Sequence, residues 1–75
     1  MRDELLLFLL SHGETKLSRL CKELNSEKDE LLSLLRPMEL EGLIKKESKG
    51  IFRKDIYYSL TEKGLFEARK IKDST

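Results

Sequence analysis

Five cationic side chains, Lys45, Lys46, Lys49, Arg53 and Lys54, crowd one ten-residue stretch that holds a single acid, Glu47. Ammonium and guanidinium groups at this density suit phosphate oxygens, which they neutralise and hydrogen-bond. If the stretch forms a hairpin tip, the fold projects these charges from the body of the molecule. The alternative is a solvated polar loop, where lysine is a common choice. Lys16 and Arg19, at the start of a short helical pattern, are further candidates for phosphate contact.

The remaining chemistry-bearing residues are few. His12, the one histidine, stands at a predicted helix end, where a protonated ring faces the carbonyl terminus favourably. Cys21, the one cysteine, excludes an internal disulfide or a cysteine-based zinc site and falls on an apolar stripe, which makes it a core residue. There is no glycine-rich phosphate loop and no carboxylate pair in a pocket-forming context, so no enzyme, metal or cofactor is expected. The apolar run from Leu5 to Leu10 is six residues, far short of the roughly 20 that span a bilayer. A cytoplasmic protein with no membrane association follows.

A net charge of +1 gives no global attraction to a polyanion, so placement decides. Residues 1–42 carry six Lys/Arg against nine Asp/Glu, and residues 43–75 carry nine against five. The second half is the basic one.

A chain of 75 residues fits one domain, 1–75, with one core. Arg2–His12 reads as a helix with Asp3 and Glu4 at its positive end and Gly13 as its stop. Its apolar residues nearly encircle it, so it needs more than one neighbour. Leu17, Leu20, Cys21 and Leu24 repeat at the spacing of one face of a short second helix. Ser26 is the expected N-cap of a third, 27–41, whose inner face is Leu31, Leu34, Leu35 and Met38 and whose stop is Gly42. Pro37 predicts a kink or restart, with the straight part ending near Arg36. Leu43-Ile44 and 56–60 read as hairpin strands around a long polar segment, 47–55. Thr61 then caps a last helix, 62–71, turning Leu65, Ala68 and Ile71 inward, and 72–75 should fray.

A helix-turn-helix, then Glu41-Gly42-Leu43-Ile44-Lys45-Lys46-Glu47, then Tyr57-Tyr58-Ser59-Leu60-Thr61-Glu62-Lys63-Gly64, resembles the winged helix transcription regulators of bacteria and archaea, such as the MarR-, PadR- and ArsR-like families. The resemblance covers nearly the whole chain. It implies an α+β fold, mostly α: a winged helix-turn-helix of three helices, a β-hairpin wing and a C-terminal helix. It also implies a DNA-binding transcriptional regulator, with the third helix in the major groove of double-stranded DNA and the wing along the backbone or minor groove. Lys28, Asp29, Leu32, Ser33 and Arg36 would then point outward from the third helix. Of these, Lys28, Ser33 and Arg36 would address bases or phosphate, and Lys45, Lys49, Arg53 and Lys54 would hold phosphates.

Two features leave a second reading open. Glu27, Asp29 and Glu30 crowd the helix end that should approach phosphate; they either oppose DNA or simply complement the helix dipole. Leu32, apolar on an outward face, suits a protein partner of the third helix. The alternative is therefore a winged-helix protein-interaction module with little DNA binding. Leu5, Phe8 and His12 lie opposite the expected buried set of Leu6, Leu9 and Leu10, so Leu5 and Phe8 are candidates for a homodimer seam, unless Phe66 and Ile71 cover them within one chain.

Overall fold

The structure, a computed structural model, describes residues 1–74. The element order is α1 (Arg2–His12), β1 (Thr15–Lys16), α2 (Leu17–Glu23), α3 (Lys28–Leu40), β2 (Ile44–Lys49), β3 (Asp55–Leu60) and α4 (Glu62–Asp73). The sheet is antiparallel in the order β1-β3-β2.

α1 is enclosed by α4 on one side and the sheet on the other, as its all-round apolarity requires. Its fully buried residues are Leu5, Leu6 and Leu9. This removes Leu5 from the expected dimer seam: it is 0% exposed within a single chain, where α4 packs on α1, and Leu10 is only half-buried. Phe8 is half-buried and stacks on His12, with ring centroids 4.1 Å apart.

The turn between α2 and α3 closes differently from the sequence expectation. Asn25 takes a left-handed φ of 52°, and Ser26 N–H returns to the Cys21 carbonyl at 2.9 Å. Asparagine tolerates this conformation better than most residues. Ser26 thus finishes α2, its hydroxyl donating to the Leu24 carbonyl, and Glu27 takes the N-cap position of α3 with no side-chain cap.

α3 buries Leu31, Leu35 and Met38, spaced i, i+4, i+7, and runs without interruption through Pro37. The restart expected near Arg36 is absent, the helix continuing to Leu40. Proline removes one amide donor, and the orphaned acceptor belongs to Ser33, an exposed residue whose carbonyl water can reach. The helix end is also closed firmly: Gly42, at φ 78°, donates to the Glu39 carbonyl and Leu43 to the Met38 carbonyl, both at 3.0 Å. This pair of bonds around a left-handed glycine satisfies carbonyls that the helix leaves open.

The wing strands are longer and the tip shorter than expected. β2 reaches Lys49, which pairs with Asp55 in the register, leaving 50–54 as the tip. Lys45, Glu47 and Lys49 share one face of β2 and stand across from Ser59, Tyr57 and Asp55, and such cross-strand pairs support a strand that β-propensity alone would not. β1 went unforeseen because two residues carry no periodicity; Thr15 and Lys16 simply pair with Tyr58 and Tyr57.

Thr61 caps α4, its Oγ1 accepting from Gly64 N–H at 3.1 Å. Gly64 and Ala68 are the buried residues of α4, while Leu65 and Ile71 are half-buried. A Cβ on Gly64 would lie 1.9 Å from the Leu43 carbonyl oxygen, so only glycine allows α4 this close to the α3–β2 junction. Lys72 and Asp73 remain helical, and Thr75 lies outside the described residues.

Gly64→Ala is expected to destabilise the fold by about 1–3 kcal/mol through overpacking against backbone. Thr61→Ala should remove about 1 kcal/mol or more, since it deletes a cap. Urea unfolding with unchanged m-value measures both, and wild-type midpoints for the two variants would contradict the packing described.

Candidate nucleic-acid interface

The helix-turn-helix and the wing enclose an open cavity of about 410 Å³, lined by Lys16, Leu17, Ser18, Cys21, Lys28, Lys54, Asp55 and Ile56. The starts of α2 and α3 and the base of the wing therefore meet at one concavity. Three lysines from distant parts of the chain border it. Of the residues singled out from the sequence, Lys16, Lys28 and Lys54 are brought together here, the Lys16 ammonium pairing with Asp55 at 3.2 Å.

Along α3, Lys28, Asp29, Ser33 and Arg36 are exposed as expected. Ser33 Oγ donates to the Asp29 carbonyl at 2.9 Å, which commits its proton but leaves its oxygen able to accept. Leu32 is half-buried against the core rather than exposed, because the apolar stripe of α3 is broad enough to include its flank. The acids Glu27, Asp29 and Glu30 stand exposed around the N-terminal end of α3. With no side-chain cap on that end, they are the groups that complement its dipole.

Tyr58 reaches from the middle strand toward α3. Burial pushes its hydroxyl pKa up, the neighbouring Glu39 adds to the rise, and Arg36 opposes it. The root of the wing thus lies near the C-terminal half of α3, which contacts β2.

The wing cations are not equivalent. Lys45 and Lys46 are exposed on opposite faces of β2. Lys49 is engaged: its ammonium donates to Glu14, lies 4.0 Å from Glu47, and sits 5.2 Å from the centroid of the Tyr57 ring. Arg53 and Lys54 are exposed and make no ion pair among the described residues. Arg19 is held near Glu23, one turn along α2, at 4.0 Å.

Two features escaped the sequence reading. Glu14, 35 positions from Lys49, is the acid that restrains the wing's central cation. The tip, read as polar, carries Ile51 and Phe52 at 91% and 99% exposure. Two large apolar residues in succession between Gly50 and Arg53 were the available signal. Among the described residues no three His, Cys, Asp or Glu side chains group as metal ligands, and no helix is long and apolar enough to cross a membrane.

The Lys49 ammonium holds the Glu14 carboxyl below its ordinary 4.5. A depressed carboxylate contributes stability that is complete above that ordinary value and lost as pH falls through the depressed one. Side-chain NMR titration should therefore find Glu14 below 4.5 in the wild type and moved back toward it in Lys49→Met. An unchanged Glu14 in that variant would show that the pair does not persist in solution.

The comparisons with known proteins agree with this geometry. The family model of the winged helix DNA-binding domain matches residues 2–64. Among solved structures, a transcriptional regulator homologue from Pyrococcus horikoshii OT3 superposes with a TM-score of 0.89 at 27% identity, covering 97% of this chain and 73% of that one. A mutant of ZitR from Lactococcus lactis gives 0.84 at 18% identity over 97% of this chain and 55% of the other. The adhesin competence repressor AdcR from Streptococcus pyogenes gives 0.83 at 18% identity, over 97% and 54%. At those lower identities the likeness is one of fold, and the chain spans only about half the length of these last two proteins. No curated protein sequence matches the chain significantly. A match over residues 2–64, on a fold of helix-turn-helix and wing, leads to one assignment: the chain belongs to the winged helix DNA-binding domain family.

Proposed function

We propose that the chain acts in the cytoplasm as a DNA-binding transcriptional regulator, without catalysis. The N-terminal half of α3 enters the major groove of double-stranded DNA, and the wing lies on the phosphate backbone. The observation that carries this reading is the convergence of Lys16, Lys28 and Lys54, from three separate elements, on one concavity between helix-turn-helix and wing. The name of the Pyrococcus horikoshii neighbour, a transcriptional regulator homologue, supports the same role.

In this reading Lys28, Ser33 and Arg36 address base edges, and Lys45, Lys49, Arg53 and Lys54 hold phosphates. Lys49 does so by exchanging Glu14 for a phosphate oxygen. Residues 1–75 act as one domain, paired in a homodimer that presents two half-sites about one helical turn apart. Leu5 takes no part in that seam. The apolar surface on the α1–α4 pair is instead the half-buried Phe8 and Phe66, which is 63% exposed. The acidic first turn of α3 favours a second reading, a protein partner bound through this helix with little DNA affinity.

Fluorescence anisotropy with a random-sequence duplex at two salt concentrations, with molar mass by light scattering, separates the two. The regulator reading expects micromolar binding that collapses with salt, from a dimer. Joint replacement of Arg53 and Lys54 by Ala should weaken binding to all sequences and lower the salt slope by about 2. Glu14→Gln should strengthen binding, because it releases Lys49 and removes a negative charge. No binding at low salt, or indifference to the Arg53 and Lys54 replacements, would transfer the case to the protein-partner reading.

A further inference from the structure

The wing tip is built to present apolar side chains to solvent. Gly50 has φ 127°, and a Cβ there would fall 1.8 Å from the Arg53 carbonyl oxygen. The backbone closes on itself between these two residues, so the turn is tight and its apex is Ile51-Phe52. These two are 91% and 99% exposed and add nothing to the core. They are open to cover by another molecule, and a phenylalanine alone offers roughly 150–250 Å² for such burial.

The immediate surroundings define that molecule. Arg53 and Lys54 follow directly in sequence, both exposed, and Lys54 borders the concavity shared with Lys16 and Lys28. Phe52 is two residues from Lys54, a backbone reach of about 7 Å at most. A phosphate held at Lys54 therefore puts the neighbouring minor groove, roughly 6 Å wide, within range of the phenyl ring. Apolar wedges flanked by cations enter that groove, partly unstack a base-pair step and bend the duplex, most easily at flexible pyrimidine–purine steps.

We infer that Phe52, with Ile51 beside it, is such a wedge: it enters the minor groove and opens one base-pair step while Arg53 and Lys54 hold the flanking phosphates. The inference rests on the DNA-binding reading above and adds to it a readout of deformability by a residue that makes no base hydrogen bond. The preferred site then carries a TA or CA/TG step under each wing.

The test uses the full chain and two duplexes, one of alternating TA steps and one an A-tract, each carrying 2-aminopurine, whose fluorescence rises on unstacking. Anisotropy is read on the same samples. The wild type is expected to prefer the TA duplex and raise its fluorescence at saturation. Phe52→Ser should bind the TA duplex about tenfold more weakly, lose the preference, and leave the fluorescence flat. Its fold is not at risk, and an unchanged thermal melt checks this. Arg53→Ala should bind more weakly yet keep the rise at saturation. Wild-type binding with no rise, or Phe52→Ser with full affinity, overturns the wedge and leaves the DNA reading standing. The rise disappearing in Arg53→Ala while persisting in Phe52→Ser also overturns it. No wild-type binding to either duplex removes the DNA reading and the wedge with it, and turns the tip toward a protein or lipid surface.

Discussion

The hydroxyl of Thr61 joins two helix ends: it donates to the Gly42 carbonyl where α3 stops and accepts from the Gly64 amide where α4 starts. Around it, Thr61 N–H donates to the Leu43 carbonyl at 3.1 Å, and Lys63 Nζ to the Glu41 carbonyl at 2.8 Å. Gly64 must lack a side chain because Leu43 occupies the space a Cβ would need. The two sequence motifs, Glu41-Gly42-Leu43-Ile44 and Leu60-Thr61-Glu62-Lys63-Gly64, are thus halves of one hydrogen-bonded junction. It sets the angle at which α3, the wing and α4 leave a common point. Arg2 adds an exposed bidentate pair with Glu41, at 2.9 and 3.1 Å, which ties the start of α1 to the same place. With both partners near half exposure, that pair contributes little energy and mainly fixes position.

Much of this was legible in the sequence where a residue type has one physical use. The glycine at 42, the cap at Thr61 and the stripe Leu31, Leu35, Met38 each follow from local rules. What stayed hidden depended on neighbours distant in sequence. Leu5 reads as an outward residue until α4 is laid across α1. Ser26 reads as a cap until Asn25 turns left-handed and draws it back to Cys21. Pro37 reads as a kink or restart, but the helix continues through it to Leu40, the lost bond falling on exposed Ser33 and the Gly42 closure holding the last turn. For the site, each cation could be found by inspection. That Lys16, Lys28 and Lys54 share a concavity, or that Glu14 reaches Lys49, requires the fold.

Charge is distributed with restraint in this interface. Lys16 is held by Asp55 and Lys49 by Glu14, while Arg53 and Lys54 make no ion pair among the described residues. Exposed pairs of this kind are weak and exchange readily for a stronger anion. In the DNA-binding reading proposed above, the paired lysines are a reserve for phosphate. In the same reading the acids at the start of α3 act in the opposite sense: they complement the helix dipole while discouraging indiscriminate approach of phosphate to its end. Selectivity in such a molecule arises as much from repulsion as from attraction.

The close seat of Gly64 against Leu43 has a mechanical consequence. A helix joined to its neighbour through flexible side chains can slide before it transmits force. At Gly64, α4 instead meets the Leu43 backbone directly, with no side chain between them. A displacement of the start of α4 is therefore passed straight to the Leu43 backbone, at the junction from which α3 and β2 depart, with no side chain between to absorb it.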